Sequence, residues 1–185
     1  DAIRGAVLNN KADLGLIFDT DVDRMSAVFS DCQEVNRDAL IAMMAAILVK
    51  DYPNSTIVTD SVTSDKLTAF LEGELQLKHH RFQRGYKNVI NECKRLNEEG
   101  VVSPLAIETS GHGALKENYY LDDGAYMAVK LLIAAAKTKA EGKTLNSLIE
   151  KLEPQFETAE YRLKLKGEDF KAYGEKDLET CTDRA

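Results

Sequence analysis

The sequence has no tryptophan, only three prolines and only three cysteines. The cysteines, Cys32, Cys93 and Cys181, are odd in number and form no CxxC pair. This usage indicates a reducing compartment, so we expect a cytoplasmic protein. No basic segment followed by an apolar one and a small-residue cleavage site opens the chain, and we therefore expect no secretory signal.

Basic charge and long apolar runs are also scarce. Acidic residues outnumber basic ones 31 to 24, which gives a formal net charge of -7. A protein that binds nucleic acid through clustered Lys and Arg has the opposite balance, so we expect no nucleic-acid partner. The longest apolar run, residues 39–49, is too short to cross a bilayer, so we expect no membrane partner either.

Short apolar segments alternate with segments of helical periodicity along most of the chain. The pattern predicts strands at residues 14–18, 25–29, 56–59, 78–82 and 105–107, and helices at residues 39–50, 66–75, 88–97, 124–141 and 145–152. The first strand is apolar throughout, which is typical of a strand buried on both faces. Strands that alternate with helices predict βαβ crossovers, and therefore an α/β fold with a largely parallel sheet and helices on both of its faces. Residues 36–38 are expected to cap the first of these helices.

An acidic loop follows the first predicted strand, with carboxylates at Asp19, Asp21 and Asp23. Acids at alternate positions can turn their oxygens toward one point, where their charges repel unless a cation is present. A hard divalent cation such as Mg²⁺ prefers oxygen ligands of this kind. The next residue, Arg24, carries a planar guanidinium suited to binding a phosphate.

The acidic loop has other interpretations. A calcium-binding EF-hand loop that starts at Asp19 would need Gly and Glu where the sequence has Arg24 and Ser30, and this possibility is excluded. A phosphatase of the haloacid-dehalogenase type, with Asp19 as nucleophile and Asp21 as acid and base, stays open. A solvated turn on a non-catalytic binding module also stays open.

A second polar loop, Glu108-Thr109-Ser110-Gly111-His112, follows the predicted strand at 105–107. Open α/β sheets bind ligands at the carboxyl ends of their strands. Glu108 and Ser110 are two residues apart and project to the same side of an extended segment, which suits them to binding adjacent sugar hydroxyls. Gly111 allows a close approach of the backbone to a ligand. A helix-capping turn beside a structural His112 is the alternative.

Together the two loops resemble those of a known enzyme family. Residues 12–24 resemble the metal-binding loop of the phosphoglucomutase/phosphomannomutase family (α-D-phosphohexomutases), a strand followed by Asp-Gly-Asp-x-Asp-Arg. Residues 108–112 resemble its sugar-recognition loop, Gly-Glu-x-Ser-Gly-His. The spacing of the loops and the segment Asp122-Asp123-Gly124 also match, so the resemblance covers about residues 12–137. Thr20, Val22 and Thr109 depart from the usual pattern.

The resemblance implies an enzyme of four domains that moves a phosphate between the 1- and 6-hydroxyls of a hexose through a phosphoserine and a bisphosphorylated sugar. Asp19, Asp21 and Asp23 would hold Mg²⁺, and Arg24 would be catalytic and orient the phosphate. The implied substrate-binding residues, which recognise the hexose phosphate, are Lys87, Glu108, Ser110 and His112. The fold would be a three-layer α/β/α sandwich with a mostly parallel mixed sheet.

The sequence has no phosphoserine motif and no terminal phosphate clamp of this family. We therefore expect a fragment, inactive by itself, whose partners are the missing domains 1 and 4 of the same chain. Residues 1–36 would be the end of domain 2 with the metal-binding loop, and residues 37–153 would be domain 3 with the sugar-recognition loop. Residues 154–185 would form a linker or an arm toward domain 4. The two loops, on different strands, are expected to act independently.

Overall fold

The computed structural model describes residues 2–35 and 37–154 of the chain, which lie within a single unit, Asp1–Gln155. The strands are β1 (Leu14–Phe18), β2 (Met25–Phe29), β3 (Glu34–Val35), β4 (Thr56–Asp60), β5 (Lys78–Phe82), β6 (Leu105–Ile107) and β7 (Gly113–Leu115). The helices are α1 (Ala2–Asn10), α2 (Arg37–Leu48), α3 (Asp65–Ala69), α4 (Tyr86–Glu98) and α5 (Gly124–Ala140).

The larger sheet is mixed and mostly parallel, with strand order β5-β4-β6-β7. β4 pairs in parallel with β5 and β6, whereas β7 runs antiparallel to β6. Successive residues of β4 face opposite ways: Ile57 packs in the core that contains α2 and α5, and Val58 packs against α4. Helices therefore cover both faces of the sheet, which confirms the predicted three-layer α/β/α fold.

The smaller sheet corrects the prediction for the first part of the chain. β1, β2 and β3 form a separate antiparallel sheet rather than part of the parallel one. β1 lies at its edge, where Ile17 is 49% exposed and Phe18 is 37% exposed, so the prediction of a strand buried on both faces is wrong. A short run that is apolar at every position has no period from which its buried face can be read. The buried strand is the central one, β2.

Several helix boundaries also differ from those predicted. The predicted helix at 66–75 is α3 followed by a π-helical turn, Phe70–Glu74, and the predicted helix at 145–152 is a 3₁₀ helix, Leu145–Ile149. α3 begins after Ser64, whose Oγ accepts a hydrogen bond from the Leu67 amide. The expected cap Asn36, residues 155–185 of the expected linker, and Cys181 lie outside the described residues.

No helix within residues 2–35 and 37–154 is both long and apolar enough to span a membrane. The longest of these helices, α5, packs its buried face into the main core and also contacts β1 and β2. α5 therefore connects the two sheets, and its inner face contributes to the stability of both.

Two adjacent leucines on α5 test this packing. Leu131 is fully buried, whereas Leu132 is 49% exposed. We expect Leu131→Ala to lower the free energy of unfolding by about 2–5 kcal/mol, because it opens a cavity in the core. Leu132→Ala should change it by less than about 0.5 kcal/mol. Urea denaturation of both variants is the measurement, and similar losses for the two would contradict the assigned orientation of α5.

Candidate functional site

The acidic loop connects β1 to β2 and brings its three carboxylates together. One oxygen from each of Asp19, Asp21 and Asp23 lies within 4.8 Å of the others. The loop turns tightly, since the Val22 amide donates to the Asp19 carbonyl at 3.3 Å and Val22 has a positive φ of 63°. The structure thus gathers the three residues that the sequence singled out, and their role as metal ligands remains a prediction.

Arg24 is bound to the first of these acids. Its Nε donates to Asp19 Oδ2 at 2.5 Å, and its backbone amide donates to Asp19 Oδ1 at 3.2 Å. Burial alone would raise the pKa of Asp19, but the bonds from Arg24 outweigh it and hold that pKa below its ordinary value. Asp19 therefore stays ionised at neutral pH.

Asp23 has an oxygen that its surroundings leave unsatisfied. Its Oδ1 is buried and has no hydrogen-bond partner among the described residues, and the Arg24 Nε lies 3.9 Å away. A buried carboxylate oxygen is normally paired, because leaving it bare is costly. Three converging carboxylates with one bare buried oxygen are the donor set that a hard divalent cation prefers, so the site fits Mg²⁺.

The second loop begins at the end of β6 with a buried carboxylate. Glu108 is 5% exposed, and its Oε1 accepts a hydrogen bond from the Gly85 amide at 2.6 Å. Its Oε2 accepts one from the Ser110 hydroxyl at 3.2 Å. The structure therefore brings Glu108 and Ser110 together, while their role in sugar binding remains a prediction.

Thr109, between the members of that pair, binds a residue that sequence reasoning missed. Asp60, at the end of β4, is 1% exposed and accepts from the Thr109 amide at 3.2 Å and from its hydroxyl at 2.8 Å. Asp60 therefore fixes the second loop to the end of β4. The available signal was an acid directly after a predicted parallel strand, because the carboxyl ends of such strands meet at one edge.

His112 lies where the two loops meet. Its Nδ1 is 2.8 Å from Asp122 Oδ2 and 3.7 Å from Asp23 Oδ2. Its ring stacks on Tyr86, with centroids 4.8 Å apart, and Lys87 places its Nζ 5.7 Å from the centroid of the same Tyr86 ring. Burial raises the pKa of Asp122, partly opposed by His112. The sequence identified His112 and Lys87 as candidate substrate contacts, but it did not predict the contacts of Asp122 and Tyr86 with His112.

The two loops are joined through their backbones. The Met25 amide donates to the Gly111 carbonyl at 3.2 Å, and Arg24 and His112 form an antiparallel bridge. Gly111 has a φ of 98°, and a Cβ on it would lie 2.7 Å from the Met25 carbonyl oxygen. A cavity of about 300 Å³ lies beside this junction, lined by residues of both loops that include Arg24 and Ser110. Although they follow different strands, the loops form one site.

The close approach at Gly111 can be tested with a matched glycine. Gly100 also has a positive φ, 85°, but a Cβ there would meet no atom within 4 Å. Both Gly111→Ala and Gly100→Ala should destabilise the chain through backbone strain. We expect Gly111→Ala to cost about 1–3 kcal/mol more, because its Cβ would push the loops apart. Chemical denaturation of both variants measures this difference, and equal losses would show that the loops do not need the close contact.

Comparison with known proteins places the chain in a family. The sequence model of the phosphoglucomutase/phosphomannomutase α/β/α domain III matches residues 36–156. Phosphomannomutase/phosphoglucomutase of Pseudomonas putida is 33% identical over 137 residues, which cover 72% of this chain and 28% of the relative. Phosphoglucosamine mutase of Corynebacterium efficiens is 32% identical over 151 residues, which cover 80% of this chain and 32% of the relative.

A solved structure agrees with these relatives. The phosphoglucomutase/phosphomannomutase family protein from Burkholderia thailandensis superposes with a TM-score of 0.72 at 26% identity, over 86% of this chain and 33% of that one. This chain therefore spans about a third or less of the length of the proteins that it matches. On the matched domain and the identity to these mutases, the chain belongs to the phosphoglucomutase/phosphomannomutase family.

Proposed function

We propose that the protein to which this chain belongs is a phosphohexomutase that interconverts hexose 1-phosphate and hexose 6-phosphate. The observation that carries the proposal is the junction of the two loops, because it sets the carboxylate cluster of Asp19, Asp21 and Asp23 beside the Glu108–Ser110 pair. A site for a cation next to a site for sugar hydroxyls suits the transfer of a phosphoryl group to or from a sugar. Family membership supports the same reaction.

The chemistry would proceed through a phosphoserine supplied by another part of the protein. A sugar hydroxyl oxygen forms a bond to phosphorus as the serine–phosphate bond breaks, and the hydroxyl proton ends on the serine oxygen, which gives a bisphosphorylated hexose and a free serine hydroxyl. After the sugar reorients, the serine oxygen takes the other phosphoryl group, and the product leaves with one phosphate. The isolated chain would supply only part of this machinery, so we infer that it is inactive alone.

The acidic loop would hold Mg²⁺ through Asp19, Asp21 and Asp23. When bound, the ion would neutralise charge on the phosphoryl group during transfer. Arg24 uses Nε to bind Asp19, and no hydrogen bond to another described residue occupies its two terminal nitrogens. Those nitrogens would be free to orient a phosphate.

The second loop would bind the sugar. The Glu108 carboxylate and the Ser110 hydroxyl already lie 3.2 Å apart, so adjacent sugar hydroxyls can be bound by both. Because the Glu108 carboxylate and the Ser110 hydroxyl are short polar groups, the same pair would bind the hexose in both of the orientations that the reaction requires. His112 would contribute a further contact to the substrate, and Lys87 would attract its phosphate.

The alternative of a haloacid-dehalogenase-type phosphatase has less support. The family match points to a mutase rather than to a phosphatase.

The metal site can be tested on this chain directly. Asp21→Asn should weaken Mg²⁺ binding at least about tenfold, because one of three charged ligands is lost. Asp51→Asn, which removes an acid in the turn after α2, is the matched control and should bind as the wild type does. Isothermal titration measures both affinities. Without Mg²⁺, Asp21→Asn should not destabilise the chain, since it removes repulsion. Equal Mg²⁺ affinity for the two variants would exclude the acidic loop as the metal site.

The sugar site is tested in the full-length protein. Glu108→Ala should lower kcat/KM for hexose phosphate by about one to two orders of magnitude, because hydrogen bonds between a charged group and sugar hydroxyls are lost. Glu98→Ala, at the exposed end of α4, is the control. The assay is coupled interconversion of hexose 1- and 6-phosphates, in which the 185-residue chain alone should give background. Unchanged kinetics in a folded Glu108→Ala protein would exclude the sugar role.

A further inference from the structure

His79, on β5, is hydrogen-bonded through both nitrogens of its ring. Its Nε2 lies 2.8 Å from the hydroxyl of Thr59, on β4, and its Nδ1 lies 2.8 Å from the hydroxyl of Thr68, on α3. A neutral imidazole has one protonated nitrogen, which donates, and one bare nitrogen, which accepts. One of the two threonines must therefore accept from His79, and the other must donate to it.

The surroundings of His79 keep its ring uncharged at neutral pH. Burial lowers the pKa of His79 to about 4. Arg81 and, more weakly, His80 act in the same direction. The carboxylates of Glu72 and Asp38 oppose the shift but do not cancel it. The ring is therefore neutral, and the position of its single proton is set by its hydrogen bonds.

The hydroxyl of Thr68 determines where that proton lies. Its Oγ1 accepts a hydrogen bond from Nη2 of Arg81 at 2.8 Å, and a guanidinium can only donate. Among the described residues, the remaining hydrogen-bond partner of this hydroxyl is Nδ1 of His79. If Nδ1 carried the proton, the hydroxyl proton of Thr68 would have no acceptor among them. Thr68 therefore donates to a bare Nδ1, and Nε2 is protonated.

The protonated Nε2 donates to Thr59, which is fully buried. The proton of the Thr59 hydroxyl is then left for the carbonyl oxygen of Asp60, 3.2 Å away. The hydroxyl of Thr63 donates to the same carbonyl, also at 3.2 Å. The carboxylate of Asp60 accepts two hydrogen bonds from Thr109. A continuous series of hydrogen bonds thus leads from His79 through the end of β4 to the second loop.

We propose that His79 is a positioning residue of the proposed hexose-phosphate site: as the Nε2–H tautomer it orients Thr59 and so fixes the end of β4, to which Asp60 binds the second loop. The consequence for the substrate rests on the proposed function, whereas the tautomer and the hold on the loop do not. His79 forms no hydrogen bond with any residue proposed to bind metal or sugar, so its effect passes through Thr59.

The first test is the tautomer of His79 in the 185-residue chain, labelled with ¹⁵N at histidine. Long-range ¹H–¹⁵N correlation at about pH 7.5, above the ordinary imidazole pKa, distinguishes protonated from bare ring nitrogens. The spectrum of His79→Gln identifies the resonances, since the chain has three histidines. We expect a protonated Nε2 and a bare Nδ1. The reverse tautomer, or a ring protonated on both nitrogens, would overturn the proposal.

Two variants separate the roles of the two nitrogens. The side-chain amide nitrogen of a glutamine can take the place of Nε2 and donate to Thr59, whereas the shorter asparagine reaches only the place of Nδ1. His79→Asn should therefore loosen the second loop, and His79→Gln, the matched control, should not. Hydrogen exchange of the Thr109 amide, which donates to Asp60, measures this loosening. We expect exchange about two- to tenfold faster in His79→Asn, the effect of one lost hydrogen bond.

The Leu131 amide, in the buried part of α5, is the internal reference for exchange. A general loss of stability would speed exchange of both amides alike, because overall unfolding exposes both. Faster exchange at Thr109 relative to Leu131 in His79→Asn alone supports the proposal, and equal changes in the two variants overturn it. If His79→Asn does not fold, Thr59→Val and Thr59→Ser make the same comparison, because only serine retains the hydroxyl that accepts from Nε2.

Kinetics of the full-length protein test the consequence for the substrate. His79→Asn should lower kcat/KM for hexose phosphate about three- to tenfold, chiefly through KM, while His79→Gln stays within about twofold of the wild type. Equal values for the two variants would refute a role at the substrate site. A wild-type full-length protein without mutase activity would instead refute the proposed function, and the tautomer and exchange measurements would still decide whether His79 holds the second loop.

Discussion

The site depends on the close backbone contact between the start of β2 and the turn that follows β6. The Met25 amide reaches the Gly111 carbonyl, and Gly111 leaves no room for a side chain between them. This contact joins an antiparallel sheet to a parallel one, and each sheet contributes one loop. It helps to fix the carboxylates of Asp19, Asp21 and Asp23 relative to Glu108 and Ser110.

The charges at this junction are unbalanced in a way that favours a cation. Asp23 lies close both to Asp19 and Asp21 and to Asp122, and among the described residues only Arg24 is a permanent positive charge in direct contact with the acidic loop. Asp60, which has no proposed catalytic role, is better satisfied, because it accepts two hydrogen bonds from Thr109. Negative charge is thus left uncompensated at the acidic loop, where a divalent ion would lower its electrostatic cost.

Local patterns were sufficient to predict the parts of the site that a single loop contains. The alternation of Asp19, Asp21 and Asp23 predicted their convergence, and the apolar segments at β4 and β6 predicted the strands that carry the second loop. The edge position of β1 could not be predicted, because an uninterrupted apolar run does not show which face is covered. Its pairing with β2 rather than with the parallel sheet is a tertiary property.

Contacts between residues that are far apart in the sequence could not be predicted from local sequence patterns either. Asp60 binds Thr109 across 49 residues, and Met25 meets Gly111 across a still longer separation. Thr109 departs from the family pattern, and the structure gives a physical reason: its hydroxyl donates a hydrogen bond to the buried carboxylate of Asp60. Only the assembled sheet shows why a small hydroxyl residue suits that position.

Mg²⁺ titration of the ¹⁵N-labelled chain tests most directly whether the two loops form one site. Binding at the acidic loop should shift the amide resonances of residues 19–24. Because Met25 and Gly111 share a backbone hydrogen bond, the amides of Gly111 and His112 should shift with the same dependence on Mg²⁺ concentration. Shifts confined to residues 19–24, with the second loop unchanged at saturation, would show that the two loops are separate sites.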